Sequence, residues 1–332
     1  MSILFVDDDK AVIGVDSNRC YIESKDSFRS YVPIETVDSI TIMGRAQMTT
    51  GCIQEFLTRG IPVMFFSKGG KYYGRLQSTG HVNTGRQREQ CALYGTCFAI
   101  ELSKRIIKAK LKNQYVVLRR YEKSKALPES ECSRLITICR NKIDSCSSID
   151  EIMGYEGQAA KAYFGGLAEV INPAFYFKGR NRHPPKDEFN SMISLGYSVI
   201  MNEVYGKIEE KGLNPYYGFM HKDKEKHPTL ASDLMEEWRA VIVDTTVMAI
   251  INGNEIVKSD FEFDEDGACY LTREAIHKYI SRLETKMKSE MKYLSYVDYA
   301  VSFRQGISMQ LNSLVYAITN KDASLYKPIE IR

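Results

Sequence analysis

The chain has 332 residues, of which 44% are hydrophobic and 26% charged, and its formal net charge is +3. That length is too great for one small core and points to about two domains. No apolar run approaches the ~20 residues that span a bilayer, which excludes a transmembrane helix. The near-neutral total leaves a nucleic-acid partner open, because a basic groove can stand opposite an acidic face.

Residues 1–85 read as a β-domain. Ile3–Val6, Ala11–Val15, Arg19–Glu23 and Val37–Met43 are short β-branched or alternating runs with polar breaks. Thr49–Arg59 has helical spacing at Cys52, Ile53, Phe56 and Leu57, and Gly60 stops it. Ile61–Phe66 follows as a strand, Lys68-Gly69-Gly70-Lys71 as a turn, and Tyr72–Gln77 as a returning strand. From residue 86 to 332 the pattern is helical. Helices are expected over Arg86–Asn113 and at about 130–146, 156–170, 187–211, 230–251, 273–292 and 296–319, with Pro173, Pro184-Pro185 and Pro215 in the breaks. The fold class is therefore α+β, a β-sandwich-like domain followed by a larger all-α domain.

Eight cysteines include no C-x-x-C pair, which argues against a structural zinc site. Cys132, Cys139 and Cys146, spaced by seven, fall on one helix face as small buried hydrophobes. Met1–Phe5 runs straight into Val6-Asp7-Asp8-Asp9 with no signal-peptide pattern, so the expected location is the reducing cytoplasm.

Four stretches carry candidate chemistry. Glu156 stands at the expected start of a helix, where a carboxylate is often only a partner of the helix dipole. His221 follows Gly218-Phe219-Met220, where a lone histidine is more often a satisfied structural group. Leu230–Arg239 opens another helix, with Ser232 as a plausible N-cap. Asp233, Glu236 and Glu237 are spaced to share roughly one face. That crowding is either a solvated acidic turn or a site relieved by a hard cation, since Mg²⁺ and Mn²⁺ take carboxylate oxygens and Mn²⁺ also accepts imidazole. Together these groups can hold a metal that stabilises charge on a phosphodiester, with Lys222, Lys224, Lys226 and Arg239 flanking them. Finally, Ile171–Asp187 alternates Lys178, Arg180, Arg182 and Lys186 with aromatics. That suits either backbone phosphate and base stacking or a packed connecting loop.

The stretches occur in an ordered pattern: Glu156-Gly157-x-Ala159-Ala160-x-x-Tyr163-Phe164; Phe177-x-Gly179-Arg180-x-Arg182-x-Pro184-Pro185-x-Asp187-x-x-Asn190; Gly196-Tyr197; Asn214-Pro215-x-x-Gly218-Phe219-x-His221; and Asp233-Leu234-Met235-Glu236-Glu237-Trp238-Arg239. In this order they resemble the CRISPR-associated endonuclease/integrase family, the large subunit of the spacer-acquisition pair, across essentially the whole chain. The resemblance implies a metal-dependent enzyme that inserts short DNA fragments into a CRISPR array. A 3′-hydroxyl is joined to a repeat-boundary phosphodiester by transesterification.

The resemblance also implies a Mg²⁺ or Mn²⁺ cofactor and a catalytic and metal set of Glu156, His221, Asp233 and Glu236. Which of Asp233, Glu236 and Glu237 touches the metal stays open. Candidates for DNA contact are Arg180, Arg182, Lys224, Arg239, Tyr163 and Tyr197. The implied partners are double-stranded DNA (prespacer and CRISPR repeat), a second copy forming a homodimer through the β-domains, and a dimer of a small ferredoxin-like CRISPR-associated protein; no membrane partner is expected. Two rival readings share these residues: a stand-alone nuclease for branched DNA, and a non-enzymatic DNA-binding scaffold.

Overall fold

The computed structural model describes residues 2–24, 29–68, 72–80, 82–181 and 184–331. It is a mixed α+β structure that divides into two compact units between Val82 and Asn83.

The first unit contains β1 (Ser2–Val6), β2 (Val12–Asp16), β3 (Arg19–Glu23), β4 (Ser30–Pro33), β5 (Val37–Met43), β6 (Gln47–Met48), α1 (Thr50–Arg59), β7 (Val63–Phe66) and β8 (Tyr72–Leu76). Two four-stranded sheets result, in the orders β1-β5-β7-β8 and β4-β3-β2-β6. β2 and β3 join through Ser17 and Asn18, both at positive φ (48° and 66°), a two-residue turn whose twist matches that of the strands. Thr49 caps α1 by accepting from the Cys52 N–H, and Gly60, at φ 70°, ends it in the left-handed region. Ile13 and Cys20 from one sheet, Ile40, Ile42 and Val63 from the other, and Cys52 and Phe56 of α1 meet in one core. β4 and β6 escape the periodicity argument: they are short and largely exposed. The Gly69-Gly70-Lys71 part of the expected turn lies outside the described residues.

The second unit is built on α2 (Thr84–Ala92), α3 (Cys97–Ser124), α4 (Glu131–Lys142), α5 (Ile149–Val170), α6 (Glu188–Glu210), α7 (Thr229–Trp238), α8 (Thr245–Asn252), α9 (Arg273–Lys288) and α10 (Phe303–Asn320). Two small ribbons interrupt it, β9 (Phe261–Phe263) with β10 (Cys269–Leu271) and β11 (Glu290–Met291) with β12 (Val301–Ser302). α3 is the central rod and packs against α4, α5 and α7. Its buried residues include Leu102, Ile106 and Val117 together with the polar Ser103, Lys110, Asn113, Gln114 and Glu122, of which Lys110 is the one cation.

Several expectations need correcting. α5 begins at Ile149, seven residues before Glu156, because Ser148 caps it and Asp150 and Glu151 favour its first turn. Glu156 is thus mid-helix, not a dipole partner. Arg86–Asn113 is split at Leu93–Thr96. Cys146 lies beyond α4, past a 3₁₀ turn over Ile143–Ser145, so the cysteine series does not share one helix face. The last helix starts at Phe303, capped by Ser302, and residues 296–302 are not part of it. Between α7 and α8 the helix widens into a π turn over Arg239–Asp244. Among the described residues no helix is long and apolar enough to cross a membrane.

Candidate functional site

Glu156 on α5, Lys110 on α3, His221 in the segment before α7, and Glu236 on α7 converge. The Lys110 ammonium lies between two carboxylates, bonded to Glu156 and 2.6 Å from Glu236 Oε2. Arg239 reaches the other oxygen, Glu236 Oε1, at 3.0 Å, and His221 Nε2 lies 3.7 Å from that same atom. Glu236 is 3% exposed and Lys110 5%, whereas Glu156 and His221, at 15% and 26%, open to solvent. Burial opposes ionisation of Glu236, but the charges of Arg239, Lys110 and His221 overcome it and hold its carboxyl well below the usual range. Burial likewise opposes charge on Lys110, and the two glutamates more than restore it. Although Lys110 is so near, Glu236 Oε2 accepts no aligned hydrogen bond.

Asp233 does a different job. It is fully buried, and its Oδ2 accepts from the Phe219 and Met220 N–H groups at 2.7 and 3.1 Å. Oδ1 accepts from the His221 N–H at 3.0 Å and pairs with His221 Nδ1 at 2.6 Å. Every lone-pair direction of this carboxylate is turned toward residues 219–221. Gly218 makes that approach possible: a Cβ there would stand 2.8 Å from Asp233 Oδ2 and 2.8 Å from the Thr229 carbonyl carbon. With Nδ1–H donating to Asp233, the lone pair of Nε2 faces Glu236. Burial lowers the His221 pKa, but the hydrogen bond and charge of Asp233, with Glu236 behind, raise it overall.

The acidic helix turn therefore splits. Glu236 faces the cluster, while Glu237 turns away into the interior, where its Oε1 accepts from Tyr326 Oη (2.7 Å) and its Oε2 from Gln310 Nε2 (3.0 Å) and the Ile329 N–H (2.7 Å). Asn113 continues this clamp, donating to Glu237 O and Ile329 O and accepting from the Ile331 N–H. Residues 326–331 are thus strapped against α3 and α7. Ser232 is not an N-cap: α7 begins three residues earlier at Thr229, and Ser232 Oγ lies 2.9 Å from His227 Nε2.

Burial, against the three donors, pushes the Glu237 carboxyl up to about 8 from an ordinary 4.5. The folded state thus holds a proton that the unfolded chain releases. The resulting stabilisation is full below the ordinary carboxylate range and is lost as pH rises toward 8. Urea midpoints measured from pH 5 to pH 9 are expected to fall for the wild type over that window. Glu237→Gln, which mimics the protonated form, is expected to flatten the profile.

The other expected DNA contacts are distributed unevenly. Lys224 is exposed. Arg239 is 21% exposed, with its guanidinium 4.8 Å from the Tyr197 ring centroid. Arg180 also lies against that ring at 5.5 Å, but its N–H groups are tied to Asn190 Oδ1 and Ser194 Oγ at 2.8 and 3.0 Å. Asn190 and Asp187 close the same loop, Asp187 capping α6, and Phe177 stacks on Phe189 at 3.9 Å. The packed-loop alternative for this stretch is the one its geometry favours.

Tyr163 is fully buried, its hydroxyl donating to Asp244 at 3.0 Å, and so offers DNA no surface. Tyr197 shares Asp244 through a 2.8 Å bond and keeps only part of its ring exposed. Arg182 lies outside the described residues. Lys110 was missed by motif reasoning, yet a signal existed: it falls on the buried stripe of α3, where a lysine needs a partner.

A family profile described as CRISPR associated protein Cas1 matches residues 4–285. The chain is 36% identical over 330 residues to the CRISPR-associated endonuclease Cas1 of Mycobacterium tuberculosis, covering 99% of this chain and 97% of that one. Among solved structures, a casposase bound to an integration product superposes with a TM-score of 0.85 at 21% identity, over 98% of this chain and 94% of that one. A chain of a Cas6-RT-Cas1–Cas2 complex gives 0.83 at 23% identity, covering 99% of this chain and 36% of the other.

Proposed function

Because the chain belongs to the Cas1 family, we propose that it is a divalent-metal-dependent DNA endonuclease and integrase that inserts short DNA fragments into a CRISPR array. The observation that carries this reading is the gathering of Glu156 and His221 Nε2 about the Glu236 carboxylate, Lys110 bridging one of its oxygens to Glu156 and His221 Nε2 lying 3.7 Å from the other. Among the described residues no three of His, Cys, Asp and Glu stand in a metal-holding arrangement as they are, and Lys110 separates the two glutamates. The donor chemistry nonetheless fits a hard divalent ion. It offers two carboxylates and an imidazole, and one carboxylate oxygen is buried without an aligned hydrogen bond. Glu156, Glu236 and His221 would hold Mg²⁺ or Mn²⁺, with Asp233 behind His221 as its positioning carboxylate. When bound, the ion supplies charge stabilisation at a phosphodiester and eases ionisation of an attacking hydroxyl.

The chain's own groups account for the rest. Asp233 fixes the imidazole tautomer so that Nε2 presents its lone pair to the site. Arg239, held by Glu236 and lying on Tyr197, presents positive charge where a phosphate would approach. Attack by a 3′-hydroxyl exchanges one phosphodiester for another and requires no nucleotide triphosphate; attack by water makes the same site a nuclease. The similarly folded casposase is bound to an integration product, and the similarly folded Cas1-containing chain stands in a complex with Cas2, which supports joining over cutting alone. That complex also supports a CRISPR-associated protein partner; the assembly we propose is a dimer of a small partner flanked by homodimers of this chain that meet through the β-units.

The test is a strand-transfer assay using a short duplex with free 3′-hydroxyls and a supercoiled plasmid bearing a repeat array. It is run with Mg²⁺ or Mn²⁺, with and without the small partner. Metal-dependent joined product is the expected outcome. Cutting without joining in the presence of partner would favour a stand-alone nuclease, and binding without reaction a scaffold. DNA affinity should rest mainly on backbone phosphates. Lys224→Ala is therefore expected to weaken binding regardless of sequence and to flatten the slope of log K against log salt by about 1, measurable by fluorescence anisotropy across a salt series.

A further inference from the structure

The cluster already carries cations of its own. Lys110 and Arg239 stand against Glu156 and Glu236, and the Asp233 carboxylate lies behind His221. A divalent ion seated on these carboxylates would add two positive charges beside two fixed cations, in surroundings too buried for water to screen them fully. One of the cations has to give way. Arg239 is anchored twice, by Glu236 and by the Tyr197 ring. Lys110 is tied through its ammonium to the two carboxylates themselves, on a flexible unbranched stem. A buried ammonium is costly unless it is paired, so a lysine at this point of α3 needs a reason. Holding apart two like charges that would otherwise repel supplies one.

We propose that Lys110 is a resident counter-cation, bridging Glu156 and Glu236 until a divalent ion takes its place, so that metal binding is an exchange of cations. The inference rests on the metal-centre reading above and adds to it. The two glutamates are held by a cation of the protein's own before metal arrives, the metal affinity is set by the difference between two cations, and the ion's arrival frees the Lys110 ammonium. In that position Lys110 is a positioning residue for the carboxylates rather than a catalytic one.

The experiment measures Mn²⁺ affinity by electron paramagnetic resonance titration and thermal stability in EDTA and in Mn²⁺. It compares the full chain with Lys110→Gln, which can still donate to a carboxylate, and Lys110→Met, which cannot. Both variants are expected to bind Mn²⁺ at least about tenfold more tightly than wild type, since one opposing unit charge has gone. Both should be less stable than wild type in EDTA and regain stability with Mn²⁺. Adding His221→Ala to Lys110→Gln should abolish the gain in affinity, locating the ion. Unchanged or weaker Mn²⁺ binding in the variants, with wild type binding normally, would overturn the exchange. So would a variant that is unfolded in EDTA and not refolded by Mn²⁺, because Lys110 would then be plain scaffold. If neither wild type nor variants retain Mn²⁺ at millimolar concentration, the metal-centre reading itself fails and the exchange with it.

Discussion

Glu156→Ala and His221→Ala are each expected to lower strand transfer by on the order of a thousandfold or more while leaving DNA affinity within a few-fold of wild type. The separation of the two effects follows from what each side chain leaves behind. Without Glu156, Lys110 keeps its contact with Glu236, so no buried charge is stranded. Without the imidazole, Asp233 keeps its three backbone N–H donors from residues 219–221, and the segment stays in place. Both positions are partly exposed, so truncation opens no deep cavity. Joined product and equilibrium binding should be measured on the same preparations. Loss of both together in a variant with a lowered unfolding midpoint would mean that these groups are structural.

Asp233 should behave in the opposite way. Asp233→Ala removes the acceptor of three backbone donors and the partner of His221 Nδ1. At ~1–3 kcal/mol for each buried donor left unsatisfied, the cost is about 4 kcal/mol or more, which lowers the melting temperature by on the order of 10 °C. The subtler variant is Asp233→Asn. Its oxygen can retain the Phe219 and Met220 bonds while its amide group faces the His221 N–H and Nδ1. An N–H donating to Nδ1 drives the imidazole into the other tautomer and puts a proton on Nε2, toward Glu236. Asp233→Asn is therefore expected to fold far better than Asp233→Ala and yet to join DNA poorly. Calorimetry paired with the strand-transfer assay separates the two variants; equal activity for Asp233→Asn and wild type would remove Asp233 from the positioning role.

How much of this was legible in the sequence depends on how far each residue's meaning lies from its neighbours. α1 could be read from Thr49 through Gly60 because cap, apolar repeat and stop are all local. Glu156, His221 and Glu236 could be gathered from motif order, which carries long-range information that periodicity does not. The division of labour among Asp233, Glu236 and Glu237 could not be read. Helical spacing puts the three near one another, but Asp233 is claimed by a loop 12–14 residues upstream and Glu237 by Tyr326, 89 residues downstream.

The aromatic, basic stretch before α6 misled in the same way. Arg180 reads in sequence as a candidate for phosphate, yet the groups that occupy it, Asn190 and Ser194, lie in the first two turns of the next helix. Lys110 was hidden among Lys104, Lys108 and Lys112, which make ordinary surface pairs with Glu101, Asp144 and Glu330. Only the phase of α3 singles it out.

The strap of residues 326–331 has a bearing on how the molecule is made. Glu237 adjoins Glu236 on α7, and its three side-chain acceptances come from Gln310, Tyr326 and the Ile329 N–H, while Asn113 ties the same strap to α3. During synthesis, α3, α5 and α7 all leave the ribosome before any of those partners exists. Until they emerge, Glu237 has none of the three donors that its side chain accepts from, although α7 can already pack on α3 and α6. A nascent chain stalled before residue 326 carries Lys110, Glu156, His221 and Glu236 but lacks the strap that holds their neighbours Asn113 and Glu237.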